Sequence, residues 1–128
     1  MTPTFLATLA LLLLAGAADA ACLNADNQEP QRLEGQLVVH RVRNYERRWV
    51  PTFILRLAKP VCLEGKSEYD QVEDTREVHV FSLEKPMLRR LRQHAGKAVR
   101  VEGRPFGQVS YHHHYRPIVM DVARIDRR

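Results

Sequence analysis

The sequence predicts a mainly β protein: a small five-stranded barrel of the OB type, with one short helix between its third and fourth strands. Three observations lead there. Short runs of β-forming residues recur along the chain, several with strict alternation. A single helical pattern interrupts them. The order is strand, strand, strand, helix, strand, strand, which is that of an OB barrel, although a small α+β sandwich gives a similar string.

Leu33 to Val42 carries the first strand, rich in Leu and Val, with Gly35 near its start marking a bulge or sharp bend. Arg43 to Val50 is charged and aromatic and reads as a loop closed by Pro51. Thr52 to Ala58 alternates, with Phe53, Leu55 and Leu57 on one face and Thr52, Ile54 and Arg56 on the other. This second strand ends near Pro60, with a possible continuation through Val61-Cys62-Leu63. Gly65 to Arg76 has the polar, acidic composition of a loop, and Glu77 to Leu83 forms the third strand. Pro86 then stands in a first helical turn, Leu88, Leu91 and Ala95 recur at helical spacing, and Gly96 is placed as the cap. Arg89, Arg90 and Arg92 make the solvated side of that helix. Ala98 to Gly103 is the fourth strand, Pro105 to Tyr115 a loop, and Pro117 to Ile125 the fifth strand, with Ile118, Met120 and Val122 inward.

The chain start reads as a signal for export. Phe5 to Ala18 is apolar and uncharged, shorter than the roughly 20 residues a spanning helix needs, and runs into the small-x-small site Ala18-Asp19-Ala20. Cleavage after Ala20 leaves an N-terminal arm over 21–32 and one OB-like domain over 33–128, with no transmembrane segment. Loss of Asp19 raises the net charge from +5 to +6. A periplasmic or secreted location follows. Cys22 also allows a lipid anchor there, but Asp19 occupies the position where a lipoprotein signal wants a Leu-like residue. In an oxidising compartment the two cysteines, Cys22 and Cys62, are expected to form one disulfide. They are too far apart for a CxxC redox or metal motif.

Two unusual segments fall in the loops after the first and fourth strands, where OB barrels usually meet their ligands. The first interleaves Arg41, Arg43, Arg47 and Arg48 with Tyr45 and Trp49, the only tryptophan. Arginine forks take carboxylates, phosphates and sulfates, and aromatic rings stack on bases or sugar faces. The competing reading is a solvated hairpin whose Trp49 folds back to cap the barrel. The second is Ser110 to Arg116, with His112, His113 and His114 in a row beside Tyr115. In an extended segment His112 and His114 point to one side and make a candidate Zn²⁺ or Cu²⁺ pair, with His79 or His40 as third ligand if the fold brings one near. No carboxylate sits in that cluster, so packed or hydrogen-bonded histidines, or a response to pH, compete with metal binding. No cofactor is expected.

Catalysis finds little support. The chain has no G-x-S-x-G, no HExxH and no spare cysteine for a Cys–His pair. The carboxylates between Glu64 and Asp74 lack the spacing of a Ca²⁺ loop.

The stretch from Val101 to Val122 combines a V-x-G strand, a His-His loop and a proline that opens an apolar strand. Together with Phe53 to Cys62, a strand ending in Pro-x-Cys, it resembles an exported bacterial domain of unknown function, the family numbered 4431. The resemblance extends over most of the mature chain, and His113, His114 and Pro117 are the positions that match. It implies an exported OB-like domain and no particular activity. The arginine-aromatic segment from Arg41 to Trp49 is a departure from the family pattern.

The sequence therefore points to an exported, non-catalytic binding module for an anionic or saccharide-like ligand: an anionic polymer, a glycan or an envelope component. The ligand residues expected are Arg43, Tyr45, Arg47, Arg48, Trp49, His113 and Tyr115. The alternatives are a metal-binding protein using His112 and His114, and a small periplasmic enzyme.

Overall fold

A computed structural model describes residues 22–110 and 113–128. The expected signal segment lies outside the described residues. The element order is β1 (Cys22–Asn24), β2 (Gln31–Arg43), β3 (Trp49–Glu64), β4 (Val72–Phe81), α1 (Lys85–His94), β5 (Ala98–Gly107) and β6 (Ile118–Arg127), with a 3-10 turn at Glu68–Asp70. One sheet runs in the order β1-β3-β2-β5-β6-β4, and a further β3–β4 pairing closes β2 to β6 into a five-stranded barrel. Only β1–β3 and β4–β6 are parallel. This is the OB order expected from the sequence, with the helix between the third and fourth barrel strands.

The strand pattern fills the barrel from alternate positions. Leu33 and Leu37 of β2, Leu55 and Leu57 of β3, Val78 and Val80 of β4, Val99 and Val101 of β5, and Ile118, Met120 and Ile125 of β6 form one buried cluster. Helix α1 closes one end. Pro86 stands in its first turn, Leu91 is fully buried, and Met87 and Leu88 pack against the cluster. Gly96 follows the helix at φ 79°, a conformation that favours glycine, and its N–H donates to Leu37 O at 2.7 Å. Glycine is also required where the 3-10 turn lies against β5. A Cβ on Gly107 would stand 1.5 Å from the Tyr69 carbonyl oxygen, and the Gly107 N–H donates to Asp70 Oδ1 at 2.8 Å.

Several strands run further than their sequence pattern. β3 continues through Pro60 to Glu64, and β4 begins at Val72, inside the acidic stretch expected as a loop. β5 reaches Gly107, so the following loop spans 108–117. Within the segment expected as an arm, Cys22–Asn24 pairs in parallel with Cys62–Glu64. The Cys22–Cys62 disulfide joins directly registered neighbours, with Cα atoms 4.3 Å apart. A sulfur held in a disulfide cannot also carry a thioether-linked lipid, which removes the lipid-anchored alternative for this form. No helix among the described residues is long and apolar enough to cross a membrane.

Candidate binding site

The β2–β3 hairpin extends past the barrel. Inward positions of β2 are fully covered at Leu37 but 42% exposed at Val39, and Arg41 and Arg43 beyond it are exposed. The tip is held by Asn44. Its side-chain Oδ1 accepts from the backbone N–H of Glu46 at 3.0 Å and of Arg48 at 2.9 Å. Its main chain exchanges bonds with Arg47 and Arg48. This turn needs a left-handed residue, and Arg47 supplies it at φ 62° rather than a glycine.

Period-two alternation gives the hairpin two faces. Arg43 and Trp49 are directly opposite in register, and so are Arg41 and Pro51. The Arg43 guanidinium lies over the Trp49 ring at 5.7 Å, and Trp49 is 58% exposed. Trp49 thus does not fold back to cap the barrel. The strand register carries it past the barrel rim, where the arginine is its neighbour. Arg48 approaches Glu46 at 3.9 Å, whereas no ion pair is recorded for Arg41, Arg43 or Arg47 among the described residues.

The other face looks onto a second buried patch, on the outside of the barrel. Across it the register runs Val38, Ile54, His79, Val119, Phe106. Thr52, Ile54, His79 and Val119 are buried without belonging to the interior cluster. Residues of the following loop lie over this row: His114 meets Phe106 with centroids 5.2 Å apart, and Tyr115 meets His79 at 5.5 Å. Tyr45 at the hairpin tip touches His113 edge-on at 5.9 Å. Between hairpin and loop opens a cavity of about 540 Å³, lined among others by Asn44, Thr52, His79, Phe81, His113 and Tyr115.

Two imidazoles organise the loop. His114 Nδ1 accepts from the Val109 and Ser110 N–H groups at 3.2 and 3.3 Å, and His79 Nδ1 accepts from the Tyr115 N–H at 3.4 Å. Burial, reinforced by His114 and Arg116, lowers the His79 pKa to about 4. Burial also lowers that of His114, with His113 adding repulsion. A neutral ring whose Nδ1 accepts carries its proton on Nε2. Below this patch Glu77 bridges Arg56 and Arg116 at 3.3 and 3.1 Å. Burial alone would raise its pKa, but the two guanidinium groups hold it below the usual carboxylate value.

The expected ligand residues therefore divide. Arg43 and Trp49 share one hairpin face, Arg47 and Arg48 form its tip, and Tyr45 joins His113 and Tyr115 at the loop. Of the expected metal pair, His112 lies outside the described residues. His114 offers only Nε2 beyond its backbone bonds, and no group of three or more metal-ligating side chains occurs among the described residues. His40, directly opposite Thr52 in register, stands 3.3 Å from Arg56 and does not line the cavity. His79, named from sequence only as a conditional partner, is central. Its signal was a histidine set between the two inward valines of a strand, on the outward face.

No curated protein and no solved structure matches the chain significantly. Neither the hairpin nor the Phe53 to Cys62 strand falls within the family match, which is confined to the part carrying His79 and the histidine loop. Residues 77–126 match the model of a family described as a domain of unknown function (DUF4431), the same family that the sequence resembles.

Proposed function

We propose that this chain is an exported binding module, without catalytic activity of its own, that takes an anionic or saccharide-like ligand at the hairpin end of its barrel. The observation that carries this reading is the exposed Arg43–Trp49 pair on a hairpin that projects beyond the barrel. An arginine stacked on an indole presents a cation and an aromatic face together, suited to an acidic group attached to a ring. Arg41, Arg47 and Arg48 extend the charge along the same hairpin. Arg47 supports the reading further, because a non-glycine residue at positive φ costs about 1–2 kcal/mol and such strain gathers at functional sites. The disulfide fits an oxidising compartment, which is compatible with a ligand of the cell envelope.

The test compares dextran sulfate with uncharged dextran, using Trp49 fluorescence at several salt concentrations. Dextran sulfate should bind with an affinity that falls steeply with salt. The triple variant Arg41→Ser, Arg43→Ser, Arg47→Ser should lose that binding while keeping its fold. Unchanged binding in the triple variant would end the proposal.

A further inference from the structure

We infer that the cavity between hairpin and loop holds one sugar ring of an acidic glycan, whose acidic groups lie on the arginines of the hairpin tip. This rests on the binding role proposed above and names its ligand class. The cavity measures about 540 Å³, within the usual range for small-molecule sites, and its described lining carries no Asp, Glu, Lys or Arg. Its polar side chains are Asn44, Thr52, Tyr115 and the histidines, set against the ring of Phe81. The bonds accepted at Nδ1 by His79 and His114 leave each an Nε2–H donor rather than a second lone pair. That chemistry suits oxygen acceptors and does not suit a metal ion. Burial keeps both rings neutral near pH 7, so the cavity itself draws no anion. Charge enters only at the rim. Asn44 belongs both to the lining and to the turn that presents Arg47 and Arg48. An uncharged, acceptor-rich ring with an acidic substituent at its edge fits both parts together. A nucleotide also joins a ring to an anion, but the disulfide fits an oxidising compartment, outside the cytoplasm that holds most nucleotides.

Three probes test this on the oxidised protein by residue-resolved amide NMR: oligogalacturonate, linear polyphosphate and oligothymidylate. Oligogalacturonate should shift His79 and Tyr115 as well as the hairpin, whereas polyphosphate should shift the hairpin alone. Leu83 is 90% exposed at the cavity mouth, so Leu83→Trp narrows the cavity without disturbing the core. It should weaken oligogalacturonate about tenfold and leave polyphosphate within about twofold. Galacturonate shifts confined to the hairpin would overturn the sugar subsite and leave the hairpin reading standing. Absence of any hairpin response to either polyanion would remove the binding role itself. Cavity shifts with oligothymidylate but not with oligogalacturonate would make the occupant a nucleic-acid base and overturn the glycan assignment.

Discussion

Acidification should destabilise this barrel through one buried imidazole. His79 is 6% exposed, and burial, with His114 and Arg116 alongside, lowers its pKa from 6.5 to about 4. The folded protein holds the ring neutral, while the unfolded chain takes up a proton near pH 6.5. Between those two values the unfolded state binds more protons, so stability rises with pH across that window. The contribution is fully present above 6.5 and is lost as pH falls toward about 4. For a single site the loss between pH 7 and pH 5 is about 2 kcal/mol, out of roughly 3 kcal/mol below both values. In a domain of this size that lowers Tm by roughly 10 °C. His114 acts with the same sign. Glu34, through its bond from Arg100, and Glu77 have lowered values, so their losses fall at more acidic pH, and Asp121, raised by burial and Glu84, works in the opposite direction. Urea unfolding at pH 7, 6 and 5 would measure the slope for the wild type and for His79→Asn. Asparagine keeps an acceptor near the Nδ1 position for the Tyr115 N–H but does not titrate. The variant should be less stable at pH 7 and distinctly flatter with pH. An equal slope in the two proteins would refute the reasoning.

Other outcomes follow from single contacts. Gly107→Ala pushes a methyl group against the Tyr69 carbonyl and should cost about 2–4 kcal/mol in urea unfolding, whereas Gly96→Ala meets no neighbour and should cost only about 1 kcal/mol. Replacing Cys22 and Cys62 by serine opens a closure of 40 residues and should lower stability by about 4 kcal/mol, and it should free β1 to exchange its amide protons rapidly. Arg47→Gly relieves the positive φ and should raise stability by about 1 kcal/mol while weakening polyanion binding, a pairing that calorimetry and titration together would detect.

The parts of the fold legible in the sequence are those where a side chain's neighbours repeat with the backbone period. The Thr52 to Ala58 alternation, the turn marked by Pro86 and Gly96, and the inward valines of β5 each carry that signal. The first half of β4 does not. Val72 to Arg76 pairs with β3 at the open side of the barrel, where neither face is fully buried, so its residues read as loop. β1 is hidden for a different reason: three residues carry no readable period, and what holds them is tertiary, the disulfide to Cys62, the burial of Leu23 in the core and the bonds of Asn24 to Gln31. At the site, the arginine-aromatic hairpin and the histidine loop were visible as composition, and strand order placed them at one end. The two-faced division of the hairpin required its register. Burial of Ile54 and Thr52 on the outward face required the loop that folds over them, a tertiary contact with no local pattern.

The most direct test of the account is where a polyanion lands. Two basic surfaces compete: the hairpin with Arg41, Arg43, Arg47 and Arg48, and the exposed side of α1 with Arg89 and Arg92. Amide shift mapping with dextran sulfate separates them in one experiment. The account predicts shifts centred on Arg43 to Trp49, including the Trp49 indole N–H, with α1 unmoved. Shifts centred on α1, with Trp49 unchanged, would contradict it.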